Sequence, residues 1–142
     1  LKLMYSDADI PIVQISMDNS LSAEKQMELG KALRLLSPQN ILIIGSGSSF
    51  HNLSGFFNPT PEHFKHNLHF ETWLEELLNS NISEKERAQK LINWKSVSGA
   101  LYCHPRAEHL LPLHFCYGFA QSRAIKTTTF KMMDSLLSIH IW

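Results

Sequence analysis

Four branched aliphatic residues, Ile41-Leu42-Ile43-Ile44, run straight into Gly45-Ser46-Gly47-Ser48-Ser49 and then Phe50-His51-Asn52. A short apolar run bounded by small residues predicts a buried strand ending in a tight loop, and α/β folds collect functional groups at such strand ends. Ile10-Pro11-Ile12-Val13-Gln14-Ile15-Ser16 predicts a second buried strand upstream. Between the two, Ser22 is a candidate helix N-cap with Glu24 in the first turn. Leu29, Ala32, Leu33 and Leu36 follow the i, i+3, i+4, i+7 spacing of a buried stripe, and Ser37-Pro38 ends it. Strand, helix and strand in this order predict a right-handed parallel crossover.

The stretch from Phe50 to Glu62, with Gly55, Pro59 and Pro61, reads as loop. Phe70, Trp73, Leu74, Leu77 and Leu78 mark one face of a helix, and Ser83-Glu84-Lys85-Glu86 opens another that buries Ala88, Leu91 and Ile92. A loop over Ser96 to Pro105 precedes a helix from Ala107 to Ala120, bent near Pro112. Ile125 to Phe130 and Leu136 to Ile141 read as closing strands. The expected class is α/β, a mixed central sheet flanked by helices.

Composition narrows the function classes. Thirteen basic residues balance thirteen acidic ones, so no cationic surplus is available for nucleic acid. No apolar run approaches the ~18 to 20 residues of a membrane span. Length, at 142 residues, suits one domain. The chain opens Leu1-Lys2-Leu3-Met4 without an initiator Met or a signal-peptide pattern, which predicts a processed start or a piece of something longer. Cys103 and Cys116 make no disulfide framework, and a reducing, cytoplasmic setting is expected.

Eight histidines concentrate the interest, because imidazole both ligates metals and moves protons near neutral pH. His51 follows the small-residue loop, where it suits a proton shuttle or a metal ligand; a loop histidine held by a hydrogen bond is the competing reading. His104, His109 and His114 are five apart, so a regular helix would rotate each by about 140° from the last. His109, in the first turns, is placed to point back toward the strand end, and His114 reads as a hydrogen-bonded core residue. His63, His66 and His69 recur every third residue but lack a thiolate or paired carboxylate to close a metal site. Asp7 and Asp9 read as a solvated turn before a strand. Gly45 and Gly47 let the backbone turn sharply, yet Phe50 stands where a dinucleotide fingerprint needs its third glycine.

Several ordered segments together resemble a known family. They are Met4-Tyr5-Ser6-Asp7-Ala8-Asp9-Ile10-Pro11-Ile12-Val13-Gln14-Ile15-Ser16, Ile43-Ile44-Gly45-Ser46-Gly47-Ser48-Ser49-Phe50-His51-Asn52-Leu53, Phe70-Glu71-Thr72-Trp73-Leu74 and His104-Pro105-Arg106-Ala107-Glu108-His109-Leu110-Leu111-Pro112-Leu113. Over nearly its whole length the chain resembles the carboxyl-terminal half of class III extradiol ring-cleavage dioxygenases, in their DOPA dioxygenase-like branch. The resemblance implies one divalent metal per complete site, Fe(II) or Zn(II), with a catechol-type molecule and dioxygen as reactants. It implies that His51 is the acid–base histidine and itself a ligand in this branch, that His109 is a metal ligand, and that His104 is a catalytic group on the substrate side or behind it. The family's two other ligating histidines come from an amino-terminal half expected before Leu1, and no histidine before His51 replaces them. Asp134 stands where the family commonly has a glycine before Ser-Leu-Ser, so a different local turn is expected. The rival expectation is a non-catalytic, truncated α/β domain that binds metal or forms homo-oligomers.

Overall fold

The computed structural model describes residues 1–142, the side chain of Ser37 excepted. Helix α1 spans Ala23–Leu33 and continues as a 3-10 turn over Arg34–Gln39; α2 spans Leu53–Phe57, α3 His63–Asn79 and α4 Glu84–Ile92. A 3-10 turn at Trp94–Ser96 leads to α5, Ala100–Cys103, and then to α6, Leu111–Ala120. Two antiparallel strands close the chain, β1 Lys126–Met132 and β2 Ser135–Ile141, in register from Lys126 opposite Ile141 to Met132 opposite Ser135. The class is α/β, as expected.

The sheet is smaller than the sequence predicts. Ile10–Ser16 and Ile41–Ile44 run extended but join no ladder among the described residues, so the parallel crossover does not form. Their side chains face outward: Ile12 is 68% exposed, Val13 83% and Leu42 59%. A strand-like pattern specifies which residues want burial; burial itself needs a neighbouring strand or helix to supply the other wall.

Local signals explain the helices. Ser83 caps α4, its hydroxyl accepting from the Glu86 N–H at 3.2 Å, and Ser22 caps α1 in the same way through Lys25. The buried stripe of α1 is Ala23, Gln26, Met27 and Gly30, one position round from the expected leucines; Leu29 and Leu36 stay exposed. The reason is Gly30, where any Cβ would collide with the Phe115 carbonyl, so this bare face lets α1 lie backbone-to-backbone on α6. The helix expected from Ala107 begins at Leu111 instead. Pro112 sits in its first turn, where a missing N–H costs nothing, rather than bending its middle.

The core lies between α3, α4 and α6. Phe70, Leu74 and Leu78 from α3 meet Leu91, Trp94, Leu110 and Leu111, each at most 1% exposed. Of the expected α3 face only Trp73 is half-buried. The β1–β2 turn at Met133-Asp134 puts Met133 at φ 52°, a left-handed position that glycine would hold without strain.

Candidate metal centre

Residues 48–52 form an extended segment that lies against the chain from Tyr102 to His109. The Ser48 N–H donates to the His109 carbonyl at 2.8 Å, and the His51 N–H donates to the Cys103 carbonyl at 2.9 Å. Asn52 adds a side-chain link, its Nδ2 donating to the Tyr102 carbonyl at 2.8 Å while its Oδ1 caps α2 through the Gly55 N–H. From below, buried His104 donates through Nε2 to the Ser49 carbonyl at 2.7 Å. These bonds fix the segment along both edges. Gly47 is needed for the contact, since a Cβ there would collide with the His109 carbonyl, and a Cβ at Gly45 would crowd Cys116 Sγ and the Pro112 carbonyl. Neither has positive φ, so the glycines serve close approach and not the sharp turn expected of them.

The result is a pair of imidazoles. His51 and His109 stack with ring centroids 3.3 Å apart and planes 13° from parallel. They line a cleft of about 420 Å³ with Asn52, Leu53, Pro105, Arg106 and Glu108. Burial, and then the charge His51 would carry, hold His109 below the usual histidine range. Two rings in face-to-face contact resist both becoming cationic, which leaves nitrogen lone pairs for another acceptor of electrons. At the rim, Arg106 Nε donates to Glu108 Oε1 at 2.7 Å, and this hydrogen bond holds the Glu108 carboxyl below its ordinary value.

Imidazole nitrogens facing a cleft are donor chemistry that Fe(II) and Zn(II) take. Near-parallel planes mean that one ion can lie in the plane of both rings only after a ring turns about its Cβ–Cγ bond. Among the described residues no cluster of three or more His, Cys, Asp or Glu side chains is assembled. The two imidazoles at the cleft are the donors whose chemistry fits a divalent metal.

A family model described as the catalytic LigB subunit of aromatic ring-opening dioxygenase matches residues 1–135. The chain belongs to the LigB family. It is 37% identical over 122 residues to a 4,5-DOPA dioxygenase extradiol of Beta vulgaris, covering 84% of this chain and 43% of that protein. It is 32% identical to the protein of that name in Escherichia coli K12, with 81% and 42% covered, and 35% identical to the dioxygenase tasH of Hapsidospora irregularis, with 84% and 40% covered. The crystal structure of an uncharacterized Escherichia coli K12 protein superposes with a TM-score of 0.73 at 28% identity, covering 99% of this chain and 59% of that one. The chain therefore spans about two fifths of the length of these curated relatives.

Within this LigB-family chain the other candidate histidines lie apart from the cleft. His104 is 1% exposed, edge-on to Phe70 and Trp94, and burial pushes it down to about 4. It supports the segment that carries His51 and does not line the cleft. His114 is wholly buried with Nε2 donating to the Leu91 carbonyl at 3.0 Å, the core role expected of it. His63 is pinned between Tyr102 and Ser135, His66 stacks on Tyr102, and His69 is exposed near Ser98, so the three make no common site. Asp7 and Asp9 are exposed, and both cysteines are free thiols. Sequence reasoning passed over three groups. Asn52 announces itself as an Asn before a helix start, Glu108 and Arg106 as charges beside a candidate ligand, and Glu71 as an acid inside the apolar stripe of α3.

Proposed function

We propose that residues 1–142 are the carboxyl-terminal portion of a single catalytic domain that opens catechol-type rings with dioxygen, next to the diol, to give a semialdehyde acid. The observation that carries this reading is the His51–His109 pair at the mouth of a cleft in a LigB-family chain. His51 and His109 would hold the metal, Fe(II) or Zn(II), and Fe(II) when bound would supply the redox centre at which catechol and dioxygen meet. Where its ring lone pair is free of the metal, His51 serves instead as the acid–base group, taking a proton from a catechol hydroxyl and later returning one to the opening ring. His109 stays neutral as a ligand because burial and its stacked neighbour oppose its protonation. Asn52 and His104 hold the carrier segment so that the reacting groups meet without further ordering. Leu53 and Pro105 give the cleft an apolar wall against which a ring can rest.

The test is dioxygen uptake and the appearance of ring-opened product when the chain, loaded with Fe(II) under nitrogen, is mixed with a catechol and air. The reading expects His51→Ala to lower the rate by roughly 10²- to 10⁴-fold. Metal binding in the wild type with no product from any catechol defeats the catalytic part of it.

A second reading rests on a different observation, the apolar side chains that Ile12, Val13 and Leu42 present to solvent. A chain with such a surface self-associates. Sedimentation separates this homo-oligomer reading from the first: a monomer at high concentration rejects it.

A further inference from the structure

Helix α3 carries three polar residues on its buried face, His63, Asn67 and Glu71, each one turn from the next, and the last two reach toward the site. Asn67 clamps β2, accepting from the Leu136 N–H at 2.6 Å and donating to the Leu136 carbonyl at 3.0 Å. Glu71 is 3% exposed, and its Oε2 accepts the Ser138 hydroxyl at 2.7 Å. The Ser138 N–H in turn donates to Ser49 Oγ at 2.8 Å, and the Ser49 carbonyl accepts from His104. Ser49 is thus the point at which α3, β2 and the loop before α6 are tied together, two residues before His51.

With the Glu71 carboxylate ionised, a direction of donation follows along the chain from β1 to α3. Ser138 has one hydroxyl hydrogen to give, and with it on Glu71 the His140 Nε2, 3.0 Å from Ser138 Oγ, must be the donor of that contact. His140 Nδ1 then accepts from Thr127 Oγ1 at 3.0 Å. Every bond points inward, toward the carboxylate. Yet Glu71 Oε1 is buried with no partner, and burial raises the group to about 7. Folding alone does not call for this. Phe70, Leu74 and Leu78 fill the same face, and an apolar side chain at 71 would avoid the cost of the buried acid.

We infer that Glu71 is a positioning residue which, through Ser138 and Ser49, sets the 48–52 segment so that the His51 ring lies on His109. The inference rests on these two histidines being the metal-holding pair, but its first readout is independent of metal. In stacked rings each imidazole shifts the proton signals of the other upfield, and long-range ¹H–¹⁵N spectra of the full chain report that shift directly.

Three variants decide it. Glu71→Met is expected to keep the denaturation midpoint at or above the wild-type value while the mutual shift of His51 and His109 is lost. Glu71→Gln, which keeps an acceptor for Ser138, is expected to retain it. Ser49→Ala, which leaves α3 untouched, is expected to reproduce the loss and to answer the question if Glu71→Met does not fold. Zn(II) alone, titrated into the folded variants, is expected to bind roughly tenfold or more weakly where the shift is lost, because the 48–52 segment then no longer carries His51 beside His109, where a turn of one ring lets both reach one ion. Rings that remain stacked in Glu71→Met or in Ser49→Ala overturn the inference. A wild type whose rings show the shift but take up no Zn(II) defeats the metal reading instead, and the ring signals still decide the role of Glu71.

Discussion

His51 and His109 share a residue type with His63, His104 and His114, and almost nothing else. The interior three are at most 2% exposed, and each has a ring nitrogen within hydrogen-bond reach of a backbone or hydroxyl partner. The cleft pair faces solvent and each other, and among the described residues neither ring has a hydrogen-bond partner. The difference teaches that nitrogen availability, more than histidine content, separates a ligand from a structural group. Each interior imidazole uses at least one ring nitrogen on the fold and is closed off from solvent. A cleft imidazole still has its nitrogens to offer.

Breaking the interior side should produce the largest effect. His114→Ala opens a cavity and orphans the Leu91 carbonyl, and is expected to cost about 3 to 4 kcal/mol in urea denaturation while Zn(II) uptake survives in the folded fraction.

Acid should sharpen the same contrast. His104 and His140 are pushed down to about 4 by burial, so the unfolded chain binds more protons than the folded one between pH 6.5 and 4. Stability is expected to fall as pH drops through that window, by roughly 3 kcal/mol for His104. Glu71 opposes this: raised to about 7, it holds an extra proton in the folded chain between pH 4.5 and 7, and its contribution is lost as pH rises. Glu71→Gln is therefore expected to steepen the acid loss and to be more stable than wild type at pH 8, as denaturation midpoints across pH would show.

The cleft side should barely register in stability. His51→Ala and His109→Ala are expected to stay within about 0.5 kcal/mol of wild type, since neither ring holds the fold together. Their thermal upshift on adding Zn(II) should vanish; for the wild type it corresponds to about 2.7 kcal/mol at a hundredfold excess over Kd. Smallest of all is Arg106→Ala. An exposed ion pair contributes little, so the melting temperature should not move, while Zn(II) affinity rises by less than tenfold because Glu108 is no longer neutralised beside His109.

Much of this division was legible in the chain, for identifiable reasons. His51 stood out because a small-residue loop precedes it, and His109 because an ordered motif surrounds it. The α3 face, the Ser83 cap and both closing strands follow from periodicity and local hydrogen bonding, which are properties of neighbours in sequence. Apart from the late start of α6 at Pro112, the differences are matters of partnership. Ile10–Ser16 and Ile41–Ile44 have a strand's pattern and no ladder among the described residues. The α1 stripe rotates because Gly30 meets a backbone 85 residues away, at Phe115. His104, a site residue by the family resemblance, turns its ring inward to a carbonyl 55 residues away. Contacts of that span are set by packing, and no window of sequence contains them.

The central claim is that His51 and His109 together form the metal-holding pair. Titrating Zn(II) into the wild-type chain while following all eight imidazoles by long-range ¹H–¹⁵N correlation tests it most directly. The account predicts that the ring nitrogens of His51 and His109 move together and reach an end point at one equivalent, while those of His63, His104 and His114 stay fixed. Zn(II) that shifts other histidines and leaves this pair unmoved would contradict it.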